Sequence, residues 1–290
     1  MTPRIIEIDE KETKLNNGAN VNTLPNSSKL PYKAWLPNSI GNLKHLRTAL
    51  LKILPFADKR LLDLPKCVKN LINLCDIDTS FSMSLGNILP FAESESHSNS
   101  LSRLISTPPG MGKLTCLQTL FNFVVTKRSG CGIEELKSLV DLRGSLCISK
   151  LENVTTTERA KEADLKSKHH LHELTLRWSE ENPLNLWNDV HKEGDEYLLS
   201  TLKSFRIVSC PCLTSLPEEM QHLSTLHLLD VWNCPELSSL PGKDMPASLQ
   251  LFWVRRCPAL KERCHDKGED WPKILHIPDI RINLEWIQHS

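Results

Sequence analysis

Apolar side chains recur at fixed spacing along residues 202–260. Leu202, Phe205, Ile207 and Cys210 define a row L-x-x-L-x-L-x-x-C, which Leu226, Leu229, Val231 and Cys234 repeat, as do Leu249, Phe252, Val254 and Cys257. The three cysteines lie 24 and then 23 residues apart, each followed by proline and then by Leu213, Leu237 or Leu260. Alternation across the fourth, fifth and sixth positions predicts a short strand with one face inward. The ninth position turns the chain into the interior, where a small apolar thiol sits beside its copies in adjacent coils. The proline after it fixes φ as the strand ends. The cysteines therefore read as a structural ladder, not as metal ligands or a redox pair.

Upstream the same rows are present in less regular form. Leu171, Leu174 and Leu176 open LHELTLRW, and Leu114, Leu117 and Leu120 sit in LTCLQTL. The phrase Leu-Pro-x-x-[Ile/Val]-x-Asn-Leu-x-x-Leu starts at Leu36 and again at Leu64, 28 residues on, with a looser version from Leu216. This pattern and period are those of leucine-rich repeats, and about seven or eight coils are expected. The fold class that follows is an α/β repeat: a curved solenoid, or horseshoe, with a parallel sheet on the concave face and irregular or short helical convex segments.

Several segments break the rows. FAESESHSNSLS (91–102) is polar and serine-rich, as expected of a loop bulging from a coil, and EENPLNLWNDVHKEGDE (180–196) is acidic and lacks the row. Leu136, Leu139 and Leu142, then Leu146 and Ile148, predict a short helix or turn leading into a strand. Thr156 with Glu158 and Arg159 marks a helix start, with Ala160, Ala163 and Leu165 on its apolar side. The expected organisation is a polar, unstructured segment at 1–30, irregular repeats at 31–180, an acidic insertion or join at 181–200, regular repeats at 201–262, and a cap at 263–290 over the last coil's open edge.

Composition narrows the function classes. Apolar residues make up 40% and charged residues 24% of the 290 residues, values of a folded globular chain. Lys plus Arg equals Asp plus Glu at 35 each, which leaves no global field to hold a nucleic acid or an anionic membrane. No apolar run reaches the roughly 18–20 residues of a bilayer span, and residues 1–30 lack the apolar core of a secretion signal. The reading is a cytoplasmic protein whose ten cysteines act as buried apolar side chains.

The phrases LRGSLCISKLENV, LHELTLRWSEE, SCPCLTSLPEEMQHLSTLHLLDVWNCPELSSLP and KGEDWPKILHIPDI, spread over residues 31–282, resemble the leucine-rich-repeat region of plant coiled-coil, nucleotide-binding, leucine-rich-repeat disease-resistance proteins. The resemblance implies a role in pathogen recognition and in restraining a nucleotide-binding switch. Two departures matter. No Gly-x-x-x-x-Gly-Lys-[Ser/Thr] phosphate loop occurs, so nucleotide binding is not expected, nor is any other cofactor. About twenty residues separate LRWSEEN from LLSTLKSF, where the family usually carries several more repeats, so the chain reads as truncated at its start and shortened internally.

Recognition falls to the outward strand positions of the concave face: the third, fifth, seventh and eighth of each row. The residues expected to contact a partner are Arg177, Trp178, Arg206, Asp230, Trp232, Trp253, Arg255 and Arg256, because tryptophan and arginine dominate binding hot spots. The packing alternative is that these tryptophans sit against neighbouring coils or the cap. His169, His170 and His172 lie far in sequence from Cys264 and His265 and have no Cys-x-x-Cys pair, so a solvated histidine cluster is favoured over zinc. No serine occupies a nucleophile elbow, and catalysis is not expected. The leading expectation is a non-catalytic module binding a protein, either a pathogen effector or a host immune component. The alternatives are part of an ADP/ATP-dependent switch, or a truncated product without independent activity.

Overall fold

The computed structural model describes residues 4–9, 12–15, 33–35, 38–50, 61–78, 104, 106–179, 201–216, 218–283 and 285–288. The serine-rich segment 91–102 and the acidic segment 180–200 lie outside them. The strands are β1 (Arg4–Asp9), β2 (Glu12–Leu15), β3 (Lys33–Trp35), β4 (Leu46–Leu50), β5 (Leu61–Asp63), β6 (Asp76–Asp78), β7 (Thr119–Leu120) and β8 (Asn122–Val124). They continue with β9 (Arg143–Ser149), β10 (His170–Arg177), β11 (Ser204–Val208), β12 (Leu228–Trp232), β13 (Leu251–Arg255), β14 (Asp279–Ile282) and β15 (Glu285–Gln288).

β8 to β14 stack as consecutive parallel neighbours, and β15 closes the far edge antiparallel to β14. A second sheet runs β2-β1-β4-β6-β7, parallel except at the β1–β2 pair. The two sheets meet in a single stretch of chain. Leu120 pairs with Ile77 on one side, Asn122 pairs with Cys147 on the other, and between them the Phe121 carbonyl accepts the Cys147 amide at 2.9 Å. The coils thus form one continuous ladder. Residues 4–9 and 12–15, expected to be unstructured, supply β1 and β2. The isoleucine-rich RIIEID suits a strand despite its charges.

Each row residue lands where its spacing puts it. Leu202, Leu226 and Leu249, with Leu229, Val231, Phe252 and Val254, are buried at 0–1% exposure in one apolar core that runs from Ile40 to Ile282. Cys210, Cys234 and Cys257 join that core, and the Cys234 amide lies 3.4 Å from the Cys257 thiol. The turn into the interior is made by left-handed residues at the eighth position: Lys150, Ser209, Asn233 and Arg256 have φ of 58°, 54°, 55° and 54°. The residue before each leading leucine also bridges coils. The hydroxyls of Thr201, Thr225 and Ser248 donate to the carbonyls of Leu171, Leu202 and Leu226 at 3.0, 2.9 and 2.8 Å, satisfying backbone acceptors that the strands leave open.

Behind the sheet, the residues before the Leu-Pro pairs at 36, 64, 216 and 240 pair in two minor ladders. β3 pairs with β5, and Ser215 bridges Ser239 in the same parallel sense. Proline has no N–H to donate, so these ladders stop there and the chain continues into 3-10 turns such as 38–42, 66–70 and 218–222. These turns pack closely: a Cβ on Gly41 would lie 2.5 Å from Cys67 Cβ. The helix expected after Thr156 spans Thr157–Glu162, and the Thr156 hydroxyl accepts the Arg159 amide at 3.3 Å.

The carboxy-terminal segment holds short helices at Pro258–Arg263 and Trp271–Ile274 and then one more coil, because β14 extends the parallel ladder. Ile277, Ile280 and Ile282 repeat the leucine spacing with isoleucine and are buried at 0–1%. Among the described residues no helix is long and apolar enough to cross a membrane.

Candidate functional site

The parallel ladder aligns its outward positions into files that cross the strands. One file runs Cys147, Thr175, Arg206, Asp230, Trp253 and Arg281. The next runs Ser149, Arg177, Val208, Trp232 and Arg255. A third runs Ser145, Glu173, Ser204, Leu228, Leu251 and Asp279. Strand neighbours stand about 4.8 Å apart, so side chains in one file touch or nearly touch.

Seven of the eight residues expected here occupy this face or its rim. Arg177, Arg206, Trp232, Trp253 and Arg255 are half-buried and Arg256 is exposed. Asp230 is on the face but covered, at 5% exposure. Trp178 is the correction. It is 5% exposed and belongs to the apolar core, and its amide continues the ladder by donating to the Val208 carbonyl at 3.0 Å. Unlike the residues at the equivalent point of β9, β11, β12 and β13, it does not take the left-handed turn. Burying so large a ring outweighs presenting it to water. The chain beyond it is held by Glu152, whose carboxylate accepts the Ser179 amide at 3.0 Å and also the Ser179 hydroxyl. Val208, expected outward with Arg206, is likewise buried, at 4%.

The centre of the face is electrostatic. Asp230 Oδ2 accepts Arg255 Nη2 at 2.7 Å and lies 3.9 Å from Arg206 Nε. The arginines come from both neighbouring strands and keep 27% and 23% of their side chains exposed, against 7% for the aspartate. A carboxylate with so little water contact needs such partners to offset its lost hydration. Arg255 also lies over the Trp232 ring, 5.8 Å from its centroid, within cation–π range. Asp230 Oδ1, Arg255 Nε and the Trp253 indole N–H are covered by their neighbours without a hydrogen-bond partner. Cys147 sits in the same file with its thiol pushed up to about 12 by burial, only partly offset by Arg177 and Arg206, so it stays neutral and adds no anion.

Comparison with known proteins agrees with the geometry. Residues 133–257 match the family model described as R13L1/DRL21 LRRs. The putative disease resistance protein RGA1 of Solanum bulbocastanum is 51% identical over 75 residues, which is 26% of this chain and 8% of RGA1. Over residues 133–257 the chain is thus similar to leucine-rich repeats, in keeping with its parallel ladder. The putative disease resistance protein At3g14460 of Arabidopsis thaliana is 51% identical over 63 residues, 22% of this chain and 4% of that protein. Disease resistance protein RGA2 of Solanum bulbocastanum is 39% identical over 92 residues, 32% of this chain and 9% of RGA2. The aligned stretch thus spans less than a tenth of each of these relatives. Among solved structures, that of PEPR1-AtPEP1 aligns with 87% of this chain and 33% of its own at 13% identity and a TM-score of 0.36.

Arg281 was not among the expected contact residues, although it stands beside Trp253 in the central file. Its signal was present in Ile277-x-x-Ile280-x-Ile282, the row written with isoleucine in a segment read as a cap.

Proposed function

We propose that the chain is a non-catalytic protein-interaction module of the plant immune-receptor kind, working in the cytoplasm and meeting its partner on the open face of β10 to β14. The observation that carries this reading is the file Arg206, Asp230, Trp253 and Arg281 on an exposed parallel sheet, flanked by Trp232 and Arg255. Arginine and tryptophan at the centre of an accessible surface are the residue types that dominate binding energy. The leucines Leu228 and Leu251 beside them add apolar contact area, and both are only half-buried. The similarity to disease resistance proteins supports a pathogen effector or a host immune component as the partner. A cytoplasmic setting suits Cys234 and Cys257, which pack together as unbridged thiols.

A photo-crosslinking amino acid tests the reading. Placed at Leu228 or Leu251 and illuminated in extract from challenged plant tissue, it should yield a discrete protein adduct. The same group at Val140, an exposed apolar position off the sheet face (50% exposed), should not. Equal adducts at all three positions, or none at the sheet positions of a folded chain, would refute the assignment of the face.

A further inference from the structure

We propose that Cys116 is a site of reversible thiol–disulfide exchange with a small-molecule disulfide, and that Cys75 on the neighbouring coil resolves the adduct into a Cys75–Cys116 bridge. The site belongs to the sheet of β4, β6 and β7 and does not depend on what the face of β10 to β14 binds. The ten cysteines, all within the described residues, divide by exposure. Seven are buried, Cys67 and Cys212 are half-buried, and Cys116 is exposed. Inward packing explains Cys210, Cys234 and Cys257, but not this pair. Cys116 stands just before Leu117, where other coils carry the polar residues His45, Asn73 and Asp141 before Leu46, Leu74 and Leu142. Cys75, although only 8% exposed, lies outside the apolar core.

Backbone bonds place the two cysteines at one edge of the sheet. The Cys75 amide donates to the Arg47 carbonyl at 2.7 Å, and the Gln118 amide donates to the Cys75 carbonyl at 2.6 Å. Arg47, Cys75 and Gln118 thus form one file across three coils, with Cys116 two residues before Gln118. Arg47 Nη2 lies 3.7 Å from Cys75 Sγ, and the Cys75 thiol donates to the Asn73 carbonyl at 3.5 Å. The Arg47 pKa is raised, first by the bond to Cys75 and by the charge of that sulfur, with smaller contributions from Asp76 and Cys116. The guanidinium therefore lies in the field of both sulfurs. Asp76 competes little for it, because its two oxygens accept the hydroxyls of Thr48 and Thr119 at 3.2 and 3.0 Å.

The exchange balances with no further reactant. The Cys116 thiolate attacks one sulfur of the small disulfide, forms a mixed disulfide and releases one thiolate. The Cys75 thiolate then attacks the Cys116 sulfur, forms the bridge and releases the other. The two protein thiols are oxidised, the small disulfide is reduced to two thiols, and the two thiol protons leave with them. Negative charge passes from sulfur to sulfur in each transfer, and Arg47 stands where it develops. An exposed thiol beside a covered second one is the arrangement of redox-responsive cysteines, the first meeting the reagent and the second resolving it. Excess thiol reverses both steps, so the pair follows the thiol–disulfide balance around it.

The test incubates the full chain, reduced and freed of reductant, with glutathione disulfide and maps the products by mass spectrometry. Early samples should carry glutathione on Cys116 before any other cysteine, later ones the Cys75–Cys116 bridge, and excess thiol should reverse both. Cys116→Ser, a change at an exposed position, should slow total thiolation about tenfold or more, because the remaining thiols are covered. Cys75→Ser should stop at the Cys116 adduct; if that variant does not fold, the order of products in the unsubstituted chain decides. Arg47→Gln should slow the first transfer about threefold to tenfold, and Arg47→Lys should restore most of the rate. Adducts on Cys67 or Cys212 that form as fast as on Cys116, or undiminished thiolation of Cys116→Ser, would overturn the proposal. So would a Cys116 adduct that never bridges in the unsubstituted chain, or a rate indifferent to Arg47→Gln.

Discussion

Asp230 and Arg255, on adjacent strands of the open sheet face, are joined by a 2.7 Å hydrogen bond between a covered carboxylate and a guanidinium that stacks on Trp232. Removing the carboxylate takes from Arg255 the counter-charge it holds at 2.7 Å. Asp230→Ala should therefore destabilise the fold by about 1–3 kcal/mol, less than a fully buried pair because both arginines keep contact with water. Asp230→Ala/Arg255→Leu should recover part of that loss by removing the unpaired cation. Urea denaturation of the four proteins completes a double-mutant cycle, and a coupling energy near zero would show that the pair is only a surface contact.

The left-handed turn after β9, β11, β12 and β13 makes a second prediction. Arg256 has φ of 54°, a conformation that asparagine tolerates well and β-branched residues poorly. Arg256→Asn should be neutral or stabilising by a few tenths of a kcal/mol, whereas Arg256→Val should cost about 1–2 kcal/mol. Its backbone amide donates to Asn283 Oδ1 at 2.9 Å, a contact that neither substitution removes. A thermal melt in which both variants behave alike would mean that the turn does not constrain this position.

Much of this architecture was legible in the residues. The leucine rows, the cysteine ladder and the Thr156 cap each follow from spacing, because an inward position in a repeat admits few side chains. The hydroxyls of Thr201, Thr225 and Ser248 were equally regular, each one residue before a leading leucine, and went unread because exposed polar residues ordinarily carry no positional meaning. Trp178 could not be read correctly from its row. Its direction depends on whether the eighth residue takes the left-handed turn, a choice set by tertiary packing. Nor does the sequence show that Asp230 lies between arginines of two neighbouring strands. That depends on Arg255 reaching back diagonally across the sheet.

The buried thiols give a dependence on alkaline pH. Burial pushes Cys147, Cys210 and Cys264 up to about 12 from an ordinary value of 9.0, with minor opposing or reinforcing charges around each. The folded protein therefore holds these protons after the unfolded chain has released them. The associated stability is fully present below about pH 9 and is lost between about 9 and 12, at about 1.4 kcal/mol per pH unit for each thiol. The urea midpoint should fall from roughly pH 8 to roughly pH 10.5, and should fall less steeply when all three cysteines are replaced by alanine. An equal slope in the replaced protein would assign the effect to lysine and tyrosine instead.

Asp270 gives the opposite dependence at the other end of the pH scale. Its side chain is fully covered, yet it accepts Arg263 Nε at 2.8 Å, Lys273 Nζ at 2.8 Å and the Leu240 amide at 3.1 Å, so it ties the terminal helices to the preceding coil. Burial alone would raise its pKa, but the hydrogen bonds from Arg263, Lys273 and the Leu240 amide outweigh it and hold the carboxyl below its ordinary value of 3.8. A group depressed in this way stabilises the fold above its unfolded pKa, and the contribution is lost as pH falls through the folded value. Asp270→Asn should cost about 2–4 kcal/mol at neutral pH, since Lys273 loses this counter-charge, Arg263 keeps only the exposed Glu269, and the Leu240 amide keeps only a neutral acceptor. The loss should shrink as pH falls below 3.8 and through the lower value of the folded carboxyl. Hydrogen exchange at the Leu240 amide reports the contact directly: protection should drop in the variant at neutral pH, while amides of β10 keep theirs. Unchanged protection at Leu240 would mean that the terminal coil is held by its isoleucines alone.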